Sequence, residues 1–157
     1  MKLSPNFSLS EFTTSSTAKR LGIDNTPNKT EIRRLTGLVD NVLQPLRTWA
    51  GRPVKISSGF RCSELNLKIG GSAGSQHVTG HAADIEIPGI SNKTVAQWIV
   101  DYTPFDQIIL EYYSEEQGIN SGWIHVSYDP RRNRKSKLTA SKRNGNTIYE
   151  FTNNFSI

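Results

Sequence analysis

The longest regular pattern in the chain runs from Thr30 to Trp49, where Ile32, Leu35, Leu38, Val39, Val42, Leu43, Leu46 and Trp49 recur at helical spacing. This stripe predicts the main core helix. Pro45 brings no N–H and crowds the preceding turn, so the helix is expected to kink or break there, with Gly51 closing it. A second helix is expected over Lys93 to Asp101, carrying Val95, Trp98 and Ile99 inward. Shorter helices are predicted over Ser15 to Leu21, ended by Gly22, and over Glu64 to Ile69. Strict alternation in Ala83-Asp84-Ile85-Glu86-Ile87 predicts a strand with Ile85 and Ile87 on one face and Asp84 and Glu86 on the other. Pro53 to Ser58, Gln107 to Tyr112 and Gly122 to Tyr128 read as further strands, and Thr147 to Phe151 as one more. At the front, Phe7 to Phe12 predicts a short extended lead into a capped turn, with Ser10 as N-cap. Polar residues 24–29, Gly70 to Ser75 and the stretch holding Glu115, Glu116 and Gly118 are loops by composition.

These elements predict an α+β fold, a small antiparallel sheet packed with helices. With 157 residues and neither internal repeat nor long linker, the chain reads as a single domain over 1–157 with a basic C-terminal segment at 130–146. The one cysteine, Cys62, makes no internal disulfide and no CxxC pair, and reads as a small hydrophobe. Met1 to Ser16 has no apolar core of a secretory signal, and no run approaches a membrane span, so synthesis in the cytoplasm as a soluble protein is expected.

The net charge of +5 is lopsided. Arg131, Arg132, Arg134, Lys135, Lys137, Lys142 and Arg143 crowd together after Asp129-Pro130, while the rest is close to neutral. Such a cluster docks on a polyanion, either nucleic acid or an anionic bacterial wall, or stands as a plain solvated loop. No zinc-finger spacing, RNP motif or helix-turn-helix accompanies it, so specific nucleic-acid recognition is not expected. No feature fixes an oligomeric state.

The chemistry is concentrated in the histidines. Two of the three, His77 and His81, lie in Ser75-Gln76-His77-Val78-Thr79-Gly80-His81-Ala82-Ala83-Asp84, and the third is in Trp123-Ile124-His125. A catalytic zinc takes three ligands from His and Asp/Glu and keeps one position open for water, whose pKa it lowers. If 77–84 were helical, His77, His81 and Asp84 would share a face. Gly80 and the β-alternation that follows favour a loop entering a strand instead. His77 and Asp84 then converge, His81 points elsewhere as a structural histidine, and His125 arrives from a distant strand. Glu86 shares the strand face of Asp84 and competes as the carboxylate.

The pattern Ser75-x-His77-x-x-Gly80-x-Ala82-x-Asp84 followed by Trp123-Ile124-His125 resembles the zinc D-alanyl-D-alanine peptidases of bacterial walls. That fold is shared with lysostaphin-type peptidases and the hedgehog signalling domain. Ile56-Ser57-Ser58-Gly59-Phe60-Arg61 is similar to the family's strand-and-arginine block. Phe7 to Phe12 and Phe105 to Glu111 are similar to blocks of a branch found in phages and prophages. The resemblance covers about residues 5–129. It implies a Zn²⁺ site of His77, Asp84 and His125, with Arg61 binding substrate and Ser75 and Gln76 lining its site. Independently, a guanidinium offers a planar fork for a terminal carboxylate and can steady an anionic tetrahedral intermediate.

Many relatives carry an acid three residues before the last histidine, where this chain has Gly122. A general base must come from elsewhere. Pairing of strands 107–112 and 122–128 places Glu111 opposite position 124 or 125, near the metal if both side chains share a face. Glu115, Glu116 and the more remote Asp106 are the other candidates. The resemblance implies hydrolysis of peptidoglycan stem peptides, as a D-Ala-D-Ala carboxypeptidase or an endopeptidase. Without a signal peptide, an endolysin-like enzyme reaching the wall through phage lysis or a virion is expected. Two alternatives stand beside this one: a zinc-binding module without catalysis, and a basic nucleic-acid-binding domain whose histidines are structural.

Overall fold

The computed structural model describes residues 1–155 and resolves these patterns into strands and helices in the order β1 (Lys2–Ser4), β2 (Phe7–Ser8), α1 (Leu9–Thr13), α2 (Ser16–Leu21) and α3 (Lys29–Leu38), then α4 (Gln44–Ala50), β3 (Lys55–Ser58), α5 (Ser63–Lys68), β4 (Ala82–Glu86) and α6 (Asn92–Tyr102). Strands β5 (Gln107–Glu111), β6 (Trp123–Ser127), β7 (Ser136–Arg143) and β8 (Asn146–Phe151) complete the described chain. The first two strands form a small antiparallel ribbon. The other six form one sheet in the order β3-β4-β6-β5-β7-β8, antiparallel except for the parallel pair β5–β7. The α+β class is as expected, with a mixed main sheet.

Period-two alternation gives this sheet a packed face and an open one. Ala83, Ile85, Ile108, Leu110, Ile124 and Val126 point into the core, against Leu35, Leu38, Val39, Val42 and Leu46 of the long helical stretch and Val95, Ala96 and Ile99 of α6. On the reverse face the ladder aligns Asp84 with His125, His125 with Ile109, and Ile109 with Leu138. A neighbouring row runs from Trp123 through Glu111 and Ala140 to Tyr149. The core alternation therefore also sets out the polar face.

Three local expectations are corrected. The first helix is capped by Ser8, not Ser10, because Glu11 stands three residues beyond Ser8 and accepts its backbone N–H at 2.7 Å. The main helix starts at Lys29, where Asn28 and Glu31 satisfy each other's N–H groups at 2.9 and 2.7 Å. Pro45 does not break it: residues 39–43 widen into a π-turn, with Gln44 N–H donating to Val39 O, and α4 starts with Pro45 in its first turn. The wide turn absorbs the missing donor and the ring's bulk. Gly51 ends α4 at φ 65°, as expected.

The C-terminal part differs most. The basic run from Ser136 to Arg143 is strand β7, hydrogen-bonded to β5 on one side and to β8 on the other. Its Lys and Arg content masked the alternation that charge-free strands display. No helix among the described residues is long and apolar enough to cross a membrane.

Candidate metal centre and cleft

Asp84 leaves the middle of β4 towards the open face, His125 lies directly across from it on β6, and His77 comes down from the turn-rich loop before β4. His77 Nε2 is 3.2 Å from Asp84 Oδ1, His125 Nδ1 is 3.2 Å from the same oxygen, and the two nitrogens are 3.3 Å apart. All three side chains are buried, and their donor atoms form a group that can hold one metal ion.

The chemistry of the donors fits a cation. His77 Nδ1 lies 2.7 Å from the Gly59 carbonyl, which only accepts, so Nδ1 carries the proton and Nε2 turns a lone pair inward. It faces a carboxylate oxygen and another imidazole nitrogen, a donor set that suits a metal ion. Burial by itself would raise the Asp84 carboxyl, but His77 and His125 outweigh it and hold the group well below the usual carboxylate range. Gly59 is fixed in place by its neighbour: Phe60 N–H donates to Phe12 O at 2.7 Å, and a Cβ on Gly59 would stand 2.6 Å from Phe12 backbone.

His81 stays outside this group. Its Nδ1 meets Thr79 Oγ1 at 2.7 Å and its Nε2 faces Asp129 at 3.7 Å, a structural role as expected. Glu86 pairs with Lys55 at 3.2 Å and takes no part.

An open cleft of about 770 Å³ lies over the centre. Arg61, Ser75, Gln76 and Glu111 line it, together with Trp123, Tyr149 and Arg132, to which sequence reasoning assigned no role at this site. Arg61 reaches into the centre: Nη2 donates to Asp84 Oδ2 at 3.4 Å, Nε to Ser58 Oγ at 3.0 Å and Nη1 to Asn66 Oδ1 at 3.3 Å. Two of its five N–H groups have no partner among the described residues. Ser75 Oγ accepts the His77 backbone N–H at 3.3 Å and so helps set the ligand loop.

Glu111 pairs across the ladder with Trp123, not with position 124 or 125. The side-chain faces nevertheless agree, because Glu111 and Ile109 are two residues apart and Ile109 is the partner of His125. Glu111 Oε2 accepts the Trp123 indole N–H at 2.7 Å, which holds the carboxylate on the open face. Burial and then the Asp84 charge push its carboxyl above the usual value, while His125, the indole and Arg61 pull it back. A carboxyl raised in this way exchanges its proton closer to neutral pH than an ordinary one.

The other candidate bases lie outside the cleft lining. Glu115 reaches Lys93 on α6 at 3.5 Å, and neither it nor Glu116 lines the cleft. Asp106 is fully buried and gripped by Arg134, whose backbone N–H, Nε and Nη2 all donate to it at 2.9 Å. Gln76 Nε2 adds a fourth bond at 2.8 Å. Desolvation raises the Asp106 pKa, but the bonds from Arg134 and Gln76 outweigh it and hold it at about 2. Since this lies below the unfolded value of ~3.9, the stabilisation is complete above that pH and drains away as pH falls through the folded value. Asp106→Asn is expected to lose about 2 kcal/mol at pH 7 and much less near pH 2. Urea unfolding at both pH values measures the difference.

Gly122 explains the missing acid. Its φ is +64°, and a Cβ there would stand 1.8 Å from the Glu111 carbonyl oxygen. No side chain fits, so an acid cannot be grafted back at this place. Gly122→Asp is expected to destabilise by about 3 kcal/mol, from left-handed backbone strain plus overpacking, read from its denaturation midpoint.

Two imidazoles and a carboxylate that can hold one metal ion thus lie under an open cleft, with a further carboxylate on the same face of an α+β sheet. Residues 5–127 match the family Peptidase M15, and the chain belongs to that family of peptidases. No curated protein matches the chain.

Proposed function

We propose that the protein is a zinc peptidase that hydrolyses peptide bonds in the stem peptides of bacterial peptidoglycan, with Glu111 as its general base. The observation that carries this reading is the convergence of His77, Asp84 and His125 beneath a cleft that also presents Glu111. Those three residues would hold the zinc, which when bound supplies a Lewis acid for the scissile carbonyl and an activated water. Glu111 takes the proton of the attacking water and passes it to the leaving amine. The indole N–H of Trp123 steadies the Glu111 carboxylate between these transfers. Arg61 anchors Asp84 through one N–H and turns its free N–H groups to the negative charge that develops on the carbonyl oxygen.

Peptidoglycan as substrate rests on the family and on the basic character of the chain, which favours an anionic wall. Action during phage lysis, in the manner of an endolysin, is the setting that suits the sequence. The position of Glu111 speaks for catalysis over a metal module that only binds a partner. The test is release of peptides from purified peptidoglycan, identified by mass spectrometry, with zinc-loaded and chelator-treated protein. Fragments that appear only with zinc support the reading and name the bond. One bound zinc with no fragments from several wall types moves the binding module ahead.

A further inference from the structure

One wall of the cleft comes from outside the family match. Residues 5–127 supply the candidate metal ligands and Glu111, whereas Arg132, Leu138 and Tyr149 follow them in the chain and line the same cleft. They sit in the loop from β6 to β7 and on the β7–β8 hairpin, which extends the open face of the sheet beyond Ile109 and Glu111.

That loop carries three arginines with different fates. Arg131 is folded back on Asp129, with its backbone N–H at 3.0 Å and its Nε and Nη2 at 3.1 Å from the carboxylate. Arg134 also borders the cleft, but its guanidinium is engaged by Asp106 at 2.9 Å. Arg132 lies between them, exposed, with its backbone N–H fixed on Asp129 O at 2.9 Å and its guanidinium without an anionic partner among the described residues. The loop is thus pinned on both sides, and Arg132 is the guanidinium it leaves for the cleft. Arg61, the other candidate for a substrate carboxylate, has three N–H groups committed inside the protein.

We propose that Arg132 is a specificity-determining residue, selecting peptides that carry a second carboxylate away from the scissile bond. This rests on the peptidase reading and extends it to a substrate class. A guanidinium on a pinned loop binds a carboxylate through a paired fork and loses little freedom in doing so. Selection acts on binding, because the contact is remote from the reacting carbonyl and equally strong before and during the reaction.

The experiment uses two synthetic peptides that differ only in one branch group, carboxylate or carboxamide. Equilibrium binding to zinc-loaded protein and steady-state hydrolysis are measured for wild type, Arg132→Gln and Arg132→Lys. The wild type is expected to bind the carboxylate peptide about tenfold more tightly and to show the same ratio in kcat/KM. Arg132→Gln brings both ratios close to one by raising KM for the carboxylate peptide alone, and Arg132→Lys keeps part of the preference. Equal weakening of both peptides, or a wild type without preference, overturns the proposal. Selective binding without hydrolysis keeps Arg132 as the selector and overturns the peptidase reading instead, so the two failures are distinct.

Discussion

Replacing His125 with alanine is expected to strip the protein of zinc and to lower peptide hydrolysis by at least about a thousandfold, since a Lewis-acid metal supplies several kcal/mol of transition-state stabilisation. His125 lies between Asp84 and Ile109 on the open face, while its strand neighbours Ile124 and Val126 carry the packing. The fold is therefore expected to survive the substitution. Thermal unfolding separates loss of site from loss of fold. Zinc at about a hundred times its dissociation constant should raise the wild-type Tm by about 5–10 °C and leave the variant unmoved. A variant that still retains one zinc with wild-type affinity would falsify the assignment of His125 as a ligand.

Glu111→Gln is the complementary change. It is expected to keep zinc and substrate binding and to lower kcat by about a hundred- to ten-thousandfold, the usual span for a general base. Glutamine retains an oxygen that accepts the Trp123 indole N–H, so the local structure around the 2.7 Å bond is preserved while the proton acceptor is removed. Metal content, KM and kcat of the purified variant decide the matter. If kcat stays within tenfold of wild type, the base lies elsewhere, although Asp106 is locked to Arg134 and Glu115 to Lys93. A fall in kcat together with lost zinc would instead make Glu111 a support of the metal site.

Much of the site was legible because its residue types are scarce and its spacing is short. Three histidines and one alternating segment narrowed the choice of ligands. The preference for a loop leading into a strand separated His77 and Asp84 from His81, and β4 with its preceding turns has that form. Glu111 was legible only to within a register. A shift of one or two positions along β6 changes its partner from 124 or 125 to Trp123, and the face agrees with the metal centre because His125 lies two residues from that partner. The π-turn before Pro45 was hidden for a different reason: it depends on how the core holds both halves of the helix in line, which no local rule encodes.

By itself, the sequence determined the α+β class and the elements that bear the core, and it narrowed the side chains able to hold a metal to a few histidines and carboxylates. Those follow from hydrophobic period and side-chain chemistry, which are properties of neighbouring residues. The tertiary structure decided which carboxylates remain free to act: it committed Asp106 to Arg134, turned Glu115 to Lys93 and left Glu111 over the cleft. It also turned a run of basic residues into a sheet strand and a pinned loop, with Arg132 facing the cleft. Pairings between residues far apart in the chain depend on strand order and register, and these are fixed only when the whole sheet closes on its core.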